Sequence, residues 1–154
     1  MSTSPTVLIV EARFYPEIAD QMAAGAIAIL DAAGVKWARE AVPGCFELPA
    51  AIKLAMAAGG AGGALDPRFG GFIALGCVIR GETDHYEHIC RETCRGLMDL
   101  SVQHGIALGF GVLTCHSYEQ AWARAAVEQK NKGADAANAC VRMMALQRQL
   151  RKSA

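Results

Sequence analysis

The sequence predicts an α/β fold in which helices cover both faces of a parallel sheet. Three segments, residues 7–10, 71–79 and 106–113, are continuous runs of apolar residues and glycine. Such runs are typical of strands buried on both faces, whereas half-exposed strands alternate apolar and polar residues. Segments with helical spacing separate the runs, and this alternation favours a parallel sheet.

The first part of the chain predicts a buried strand, a helix and an edge strand. After the strand at residues 7–10, Pro16 opens a segment whose apolar residues recur at helical spacing. Gly34 suits the position after the last turn of this helix. Residues 35–42 mix charged and apolar side chains, as an edge strand does, and Pro43 ends them.

The middle of the chain predicts a helix, a loop, a strand and a second helix start. Pro49 suits the first turn of the first of these helices. The glycine-rich residues 59–63 predict a flexible loop, since neither side of them offers a separate domain. After the strand at residues 71–79, Asp84 and Glu87 have the spacing of a capping box.

The last part of the chain predicts one strand and two helices. Gly105 ends the preceding helix, and residues 106–113 form the fourth strand. The sequence S-Y-E-Q at residues 117–120 is a second capping box, which opens a helix that ends near residues 131–133. A fifth helix runs from about residue 134 to residue 151.

The predicted order of elements is therefore βαβαβαβαα. Because parallel crossovers are right-handed, the simplest arrangement is a flavodoxin-like, three-layer α/β/α sandwich with strand order 2-1-3-4. The length of 154 residues lies in the range of one domain, so we expect residues 1–154 to fold as a single domain.

Composition limits the classes of function. Basic and acidic residues number 15 each, and this balance argues against a nucleic-acid-binding protein. Hydrophobic residues make up 53% of the chain and charged residues only 19%, so a small monomer would have little charge to cover its surface. We therefore predict a homo-oligomer whose interfaces bury apolar area.

The chain has neither the pattern of an exported protein nor that of a membrane protein. Residues 1–6 lack the basic and apolar regions of a signal peptide, so we expect a cytoplasmic protein with six reduced cysteines. Residues 100–118 carry no acidic or basic side chain and are long enough to span a bilayer. Their central glycine and polar residues instead favour a helix end, a turn and a buried strand.

The candidate ligand site lies where the predicted strands end. The carboxyl ends of parallel strands meet at one edge of the sheet, which is where open α/β sheets bind ligands. The four segments that follow the strands are E-A-R-F-Y at residues 11–15, P-G-C-F-E at 43–47, R-G-E-T-D-H at 80–85 and T-C-H-S at 114–117. These residue types suit a planar heterocycle that stacks on phenylalanine and is hydrogen-bonded by backbone groups and glutamate.

Residues 81–85 join a buried strand to the start of a helix. Backbone N–H groups and the helix dipole favour an anion such as phosphate there, and Thr83 adds a hydroxyl. The segment is neither a Walker loop nor G-x-G-x-x-G, so a nucleoside triphosphate is not expected. The same dipole favours a neutral imidazole at His85, which could exchange protons with a bound substrate. A purely structural hydrogen bond at the helix start is the alternative.

Two further patterns have simpler interpretations. His85 and His88 form H-x-x-H, but spacing fixes no third ligand, so we expect no metal site. Arg124 and Lys132 flank the end of the fourth predicted helix, where solvated surface is the ordinary role of such side chains. The sequence of one subunit does not place either of them at the strand ends.

Three motifs carry a resemblance to a known family. V-P-G-C-F-E-L-P at residues 42–49, L-G-C-V-I-R-G-E-T-D-H-Y at 75–86 and N-K-G at 131–133 resemble the 6,7-dimethyl-8-ribityllumazine synthases. The similarity spans about residues 7–146, and the motifs stand in the family's order. The chain is therefore identified from its sequence as a candidate member of that family.

The resemblance implies a reaction in riboflavin biosynthesis. Members of the family condense 5-amino-6-(D-ribitylamino)uracil with 3,4-dihydroxy-2-butanone 4-phosphate to give 6,7-dimethyl-8-ribityllumazine, the penultimate step of the pathway. The reaction needs no cofactor, so the implied partners are the two small-molecule substrates. The active sites lie between neighbouring subunits of a pentamer, which implies a pentamer or a multiple of pentamers.

The resemblance also implies roles for individual residues. His85 would transfer protons, Phe14 would stack on the pyrimidine ring, and Arg124 would bind the phosphate together with Glu82 and Thr83. The other pocket positions that match the family are Cys45, Phe46, Glu47, Cys77, Val78, Ile79, Phe110 and Lys132.

The chain departs from the family pattern at a few positions. Tyr15 stands where asparagine is common, and Cys45, Cys77 and Cys115 replace small or hydroxyl residues. Two other classes compete with the enzyme: a non-catalytic lumazine or flavin carrier on the same fold, and an α/β module that binds another phosphorylated ligand. The presence together of Thr83, His85 and Arg124 favours the enzyme.

Overall fold

Four parallel strands form one sheet in a computed structural model that describes residues 5–58 and 69–153. The strand order is β2-β1-β3-β4, which confirms the predicted order. The predicted loop at residues 59–63 lies outside the described residues. The strands are β1 (Thr6–Ala12), β2 (Trp37–Val42), β3 (Phe69–Ile79) and β4 (Leu108–Cys115).

Five α-helices connect and follow the strands in the described part of the chain, in the predicted order. A 3-10 turn, Cys45–Glu47, precedes the second of them. The helices are α1 (Pro16–Ala32), α2 (Leu48–Ala57), α3 (His85–His104), α4 (Tyr118–Ala125) and α5 (Lys132–Lys152).

The core is divided between the two faces of the sheet. In β1, Val7 and Ile9 pack with residues of α1, α4 and α5, whereas Leu8 and Val10 pack with residues of α2 and α3. This division follows from the alternation of side chains along a strand, since both faces are covered. Strand β2 is mostly exposed, as predicted for an edge strand.

The fourth helix is shorter than predicted. It ends at Ala125, and a turn follows in which the backbone N–H groups of Gln129 and Asn131 donate to the carbonyl of Ala126. Asn131 has a φ of 47°, a left-handed conformation that asparagine tolerates better than most residues. The turn contains neither glycine nor proline, so no helix-breaking residue marks the break before Gly133, and α5 starts at Lys132, two residues earlier than predicted.

One of the two predicted capping boxes forms in part, since the Gln120 side chain accepts from the backbone N–H of His116 at 2.8 Å instead of that of Ser117. The hydroxyl of Ser117 accepts a hydrogen bond from the Gln120 N–H at 3.2 Å, which confirms the cap of α4. The prediction for Asp84 is wrong, because its side chain caps nothing and lies 3.3 Å from Nε2 of His88. Its predicted partner Glu87 forms an ion pair with Arg80 at 3.0 Å, so both carboxylates have other partners.

The uncharged stretch at residues 100–118 has the structure predicted for it. Helix α3 ends at His104, Gly105 turns the chain with a φ of 62°, and β4 follows. Among residues 5–58 and 69–153, no helix has the length and the apolar content that crossing a bilayer requires.

Candidate active site

A cleft opens at the carboxyl edge of the sheet, where the sequence predicts the ligand site. We call it the rim cleft, and its volume is about 400 Å³. Its walls come from the turn after β1, the segment between β2 and α2, the end of β3 and the first turns of α3. The lining residues are Phe14, Tyr15, Pro43, Gly44, Cys45, Phe46, Glu47, Cys77, Val78, Ile79, His85 and Ile89.

Two aromatic rings stand at the mouth of the rim cleft. Phe14 is 72% exposed and Phe46 is 61% exposed, values that are unusual for phenylalanine. Tyr15 packs edge-on against Phe14, with 5.0 Å between the ring centroids, and contacts Tyr118 of α4 in the same manner at 6.4 Å. Exposed rings held in this way offer apolar faces on which a flat heterocycle can stack.

The inner wall of the cleft carries two thiols. Burial raises the pKa of Cys45 from 9.0 to about 11 and that of Cys77 from 9.0 to about 12. Both thiols are therefore protonated at neutral pH and serve as small, neutral contacts, not as nucleophiles. All six cysteines of the chain are free.

The polar end of the cleft lies at the start of α3. His85 is the first residue of this helix, as predicted, and its backbone N–H donates to Oγ1 of Thr83 at 3.3 Å. Glu82 and Thr83 are exposed beside it, although neither lines the cleft. The first turn of a 20-residue helix directs N–H groups toward this end, an arrangement that suits an anion.

Three predicted site residues lie away from the rim cleft. Phe110 sits on the edge strand β4 and is 48% exposed. Arg124 lies along α4, where its Nη1 donates to the carbonyl of Gln120 at 3.1 Å. Lys132 begins α5 and pairs with Asp135 at 3.0 Å. The described lining of the rim cleft therefore contains no arginine or lysine, and these three residues lie elsewhere on the chain.

The start of α5 is seated tightly on α1. A Cβ atom on Gly133 would lie 2.0 Å from the carbonyl oxygen of Met22, so no larger residue fits without a shift of the backbone. Asn131 fits as closely, since its Oδ1 would lie 2.2 Å from a Cβ placed on Gly25. The close packing of the N-K-G motif on α1 thus fixes the position from which the Lys132 side chain extends.

The cleft brings together eight of the thirteen predicted site residues: Phe14, Cys45, Phe46, Glu47, Cys77, Val78, Ile79 and His85. It adds Tyr15, Pro43, Gly44 and Ile89, which were not named as site residues. Ile89 lies four residues after His85 on α3, so helical spacing could have revealed it. In the described part of the chain, no group of three or more His, Cys, Asp or Glu side chains could hold a metal ion.

Comparisons with known proteins agree with the motifs. The family model for 6,7-dimethyl-8-ribityllumazine synthase matches residues 4–148. A 6,7-dimethyl-8-ribityllumazine synthase from Paramagnetospirillum magneticum is 54% identical over 144 residues, which cover 94% of this chain and 95% of that protein.

Two further relatives show the same similarity. The synthase of that name from Afipia carboxidovorans is 49% identical over 150 residues, covering 97% of this chain and 90% of the relative. The 6,7-dimethyl-8-ribityllumazine synthase 1 of Rhizobium meliloti is 49% identical over 144 residues, with coverages of 94% and 92%. Because the family model and these relatives match nearly the whole length, the chain belongs to the 6,7-dimethyl-8-ribityllumazine synthase family.

Proposed function

We propose that this chain condenses 5-amino-6-(D-ribitylamino)uracil with 3,4-dihydroxy-2-butanone 4-phosphate to give 6,7-dimethyl-8-ribityllumazine. Family membership supports the reaction. The observation that carries the assignment to a site is the convergence of two exposed phenylalanines, Glu47 and His85 on one cleft. These groups match a flat, hydroxylated substrate beside a proton-transfer group.

The pyrimidine substrate occupies the apolar part of the rim cleft. Phe14 stacks on its ring, and Phe46 closes the mouth. Glu47 accepts hydrogen bonds from ribityl hydroxyls, because an ionised carboxylate is an acceptor only. The neutral walls that contact the ring and the ribityl chain are Cys45, Cys77, Val78 and Ile79.

The phosphorylated ketone binds at the start of α3. Backbone N–H groups near Glu82 and the hydroxyl of Thr83 donate to the phosphate oxygens. Arg124 supplies the cation from a neighbouring subunit, since it does not line the cleft of its own protomer. Phe110 and Lys132 complete the site from the same neighbour.

His85 moves protons between the two bound substrates. The 5-amino group of the pyrimidine attacks the ketone carbonyl, and the carbinolamine loses water to form an imine. Loss of a proton and elimination of inorganic phosphate then give an enol, which tautomerises to a carbonyl. The ribitylamino nitrogen closes the ring on this carbonyl with loss of a second water. The imidazole of His85 can accept the proton in one step and return it in another.

We propose that the protein assembles as a ring of five subunits or a multiple of it, as the family resemblance implies. Exposed apolar side chains on two helices support an oligomer, namely Leu54, Met98 and Val102. We further place the enzyme in the cytoplasm, and six free thiols fit a reducing compartment.

Turnover distinguishes the enzyme from a carrier. The purified protein is mixed with both substrates, and lumazine formation is followed by absorbance while inorganic phosphate is measured in parallel. The proposal requires one phosphate released per lumazine formed. A protein that binds lumazine but releases no phosphate from the mixture is a carrier, and the proposed reaction is then wrong.

A further inference from the structure

A buried carboxylate lies behind the rim cleft and has no part in the chemistry described so far. Glu11 is one residue from the end of β1, and only 3% of it is exposed. It shares the interior with apolar residues on the face covered by α1. Burial of a charge is costly unless it is paired, so its partners indicate why it is there.

Two arginines surround the Glu11 carboxylate. Arg39 of β2 makes a bidentate contact with this carboxylate: its Nε donates to Oε2 at 2.7 Å and its Nη2 donates to Oε1 at 2.9 Å. Arg13 donates from Nη1 to Oε1 at 2.9 Å, and its Nη2 pairs with Asp20 of α1. The hydrogen bond to Asp20 is the main reason that the pKa of Arg13 is raised. We call Glu11, Arg13, Asp20 and Arg39 the Glu11 cluster.

The Glu11 cluster connects the segments that form one wall of the cleft. Arg13 immediately precedes Phe14 and Tyr15, and through Asp20 it is tied to the second turn of α1. Arg39 belongs to β2, which leads directly into the cleft-lining residues 43–47. No member of the cluster lines the cleft itself.

A stabilising role alone explains this arrangement poorly. Buried ion pairs contribute little net stability, because desolvation offsets the attraction, and apolar side chains of similar size often serve as well. A bidentate contact does fix direction, since a planar guanidinium and a carboxylate meet in one plane. The cluster fixes the angle at which the turn after β1 leaves the sheet, and Phe14 stands on that turn.

We propose that Glu11 is a positioning residue for the pyrimidine substrate: through Arg13 and Arg39 it holds the turn that presents Phe14 against the segment that carries Phe46 and Glu47. This inference rests on the proposed function. It assigns Glu11 no contact with either substrate. Its effect is therefore expected on the pyrimidine and not on the phosphorylated ketone.

The test is Glu11→Gln, which keeps the shape of the side chain and removes its charge. Each substrate is varied in turn with the other saturating. We expect KM for the pyrimidine to rise about tenfold, while kcat and KM for the ketone stay within about twofold. Titration of lumazine fluorescence gives a second readout, in which Kd rises by the same factor as the pyrimidine KM.

Two other variants test whether the effect is specific to the bidentate contact. Arg39→Lys retains the charge and loses the two-point contact, so we expect a smaller change in the same direction. Asp31→Asn is the matched control. Asp31 accepts a hydrogen bond from Nε1 of Trp37 at 2.8 Å. This bond joins the end of α1 to the start of β2, whereas the rim cleft lies where the strands end. Asp31→Asn should leave both KM values unchanged.

The outcomes separate this proposal from the proposed function. If wild type makes no lumazine, the reaction is wrong, and the Kd for lumazine alone then decides the role of Glu11. If Glu11→Gln alters neither the pyrimidine KM nor Kd, or if both substrates are affected equally, the positioning role is wrong. If Glu11→Gln fails to fold, Arg39→Lys takes its place in the test. A rise in the pyrimidine KM alone then supports the positioning role, and no rise, or an equal effect on both substrates, contradicts it.

Discussion

His85 begins helix α3 at the polar end of the rim cleft, where a histidine can serve catalysis or merely the helix start. Because a positioned acid–base group contributes roughly 10²–10⁴-fold where proton transfer limits the rate, we expect His85→Ala to lower kcat about 10- to 100-fold. Some turnover remains, since holding two substrates together needs no proton transfer. Steady-state kinetics and a lumazine titration check this, and pyrimidine affinity should be unchanged. A His85→Ala protein with wild-type kcat would make His85 structural only.

Arg124 has one donor committed to the carbonyl of Gln120 and is half-buried on α4. Its guanidinium can still hold a phosphate in two-point contact, which an ammonium group cannot reproduce. We expect Arg124→Ala to raise KM mainly for the phosphorylated ketone, and Arg124→Lys to restore it in part. Kinetics with each substrate varied in turn give the answer. Equal effects on both substrates would assign Arg124 to the subunit interface.

At the scale of single residues, the sequence predicts contacts that depend on neighbours in the chain better than contacts across the fold. Ser117 caps α4 as its spacing predicts. Asp84 has the same kind of spacing but pairs with His88, because several side-chain partners compete at that helix start. The Glu11 cluster joins residues 28 positions apart, and no local pattern indicates it.

The elements with a continuous apolar pattern were predicted well, whereas the end of the short helix α4 was not. Strands β1, β3 and β4 lie within about two residues of their predicted positions, since burial on both faces leaves few alternatives. The predicted end of α4 was wrong because the turn at residues 126–131 has no glycine or proline to mark it, while its backbone hydrogen bonds change. The spacing of apolar residues along the chain does not indicate which backbone hydrogen bonds form.

The contact between α5 and α1 gives a prediction at the scale of elements. Gly133→Ala forces a methyl group against the Met22 carbonyl, so α5 must move and carry Lys132 with it. We expect a loss of ~1–3 kcal/mol of stability and a lower thermal midpoint. Gly81→Ala is the matched control, because nothing lies within 4 Å of the added atom. Equal melting of the two variants would show that α5 adjusts without strain.

For the whole molecule, chain order and strand type were enough to predict the sheet order, because right-handed crossovers leave one simple arrangement. The site could be predicted only in part. Residues at the ends of strands converge in one protomer, as the fold requires, whereas Phe110, Arg124 and Lys132 do not. The spacing of residues within one chain does not indicate which side chains would complete a site on a neighbouring chain.

The proposed sharing of the site between subunits predicts an oligomer. We expect light scattering of the purified protein to give about 82 kDa, five times the 16.3 kDa of the chain, or a multiple of that mass. On dilution, the specific activity should fall only at protein concentrations at which the oligomer dissociates and its measured mass falls. A stable 16.3 kDa monomer that retains full turnover would exclude a shared site.

Mixing two defective variants tests the shared active site most directly. One variant, Phe14→Ala with His85→Ala, damages the cleft; the other, Arg124→Ala with Lys132→Ala, removes the two cations proposed to act in the neighbour's site. Each alone should have little activity. Oligomers assembled from equal amounts of both should recover about a quarter of wild-type turnover, because that share of the interfaces joins an intact cleft to an intact neighbour. Mixed oligomers that remain as inactive as the separate variants would place the whole site within one protomer and contradict the account.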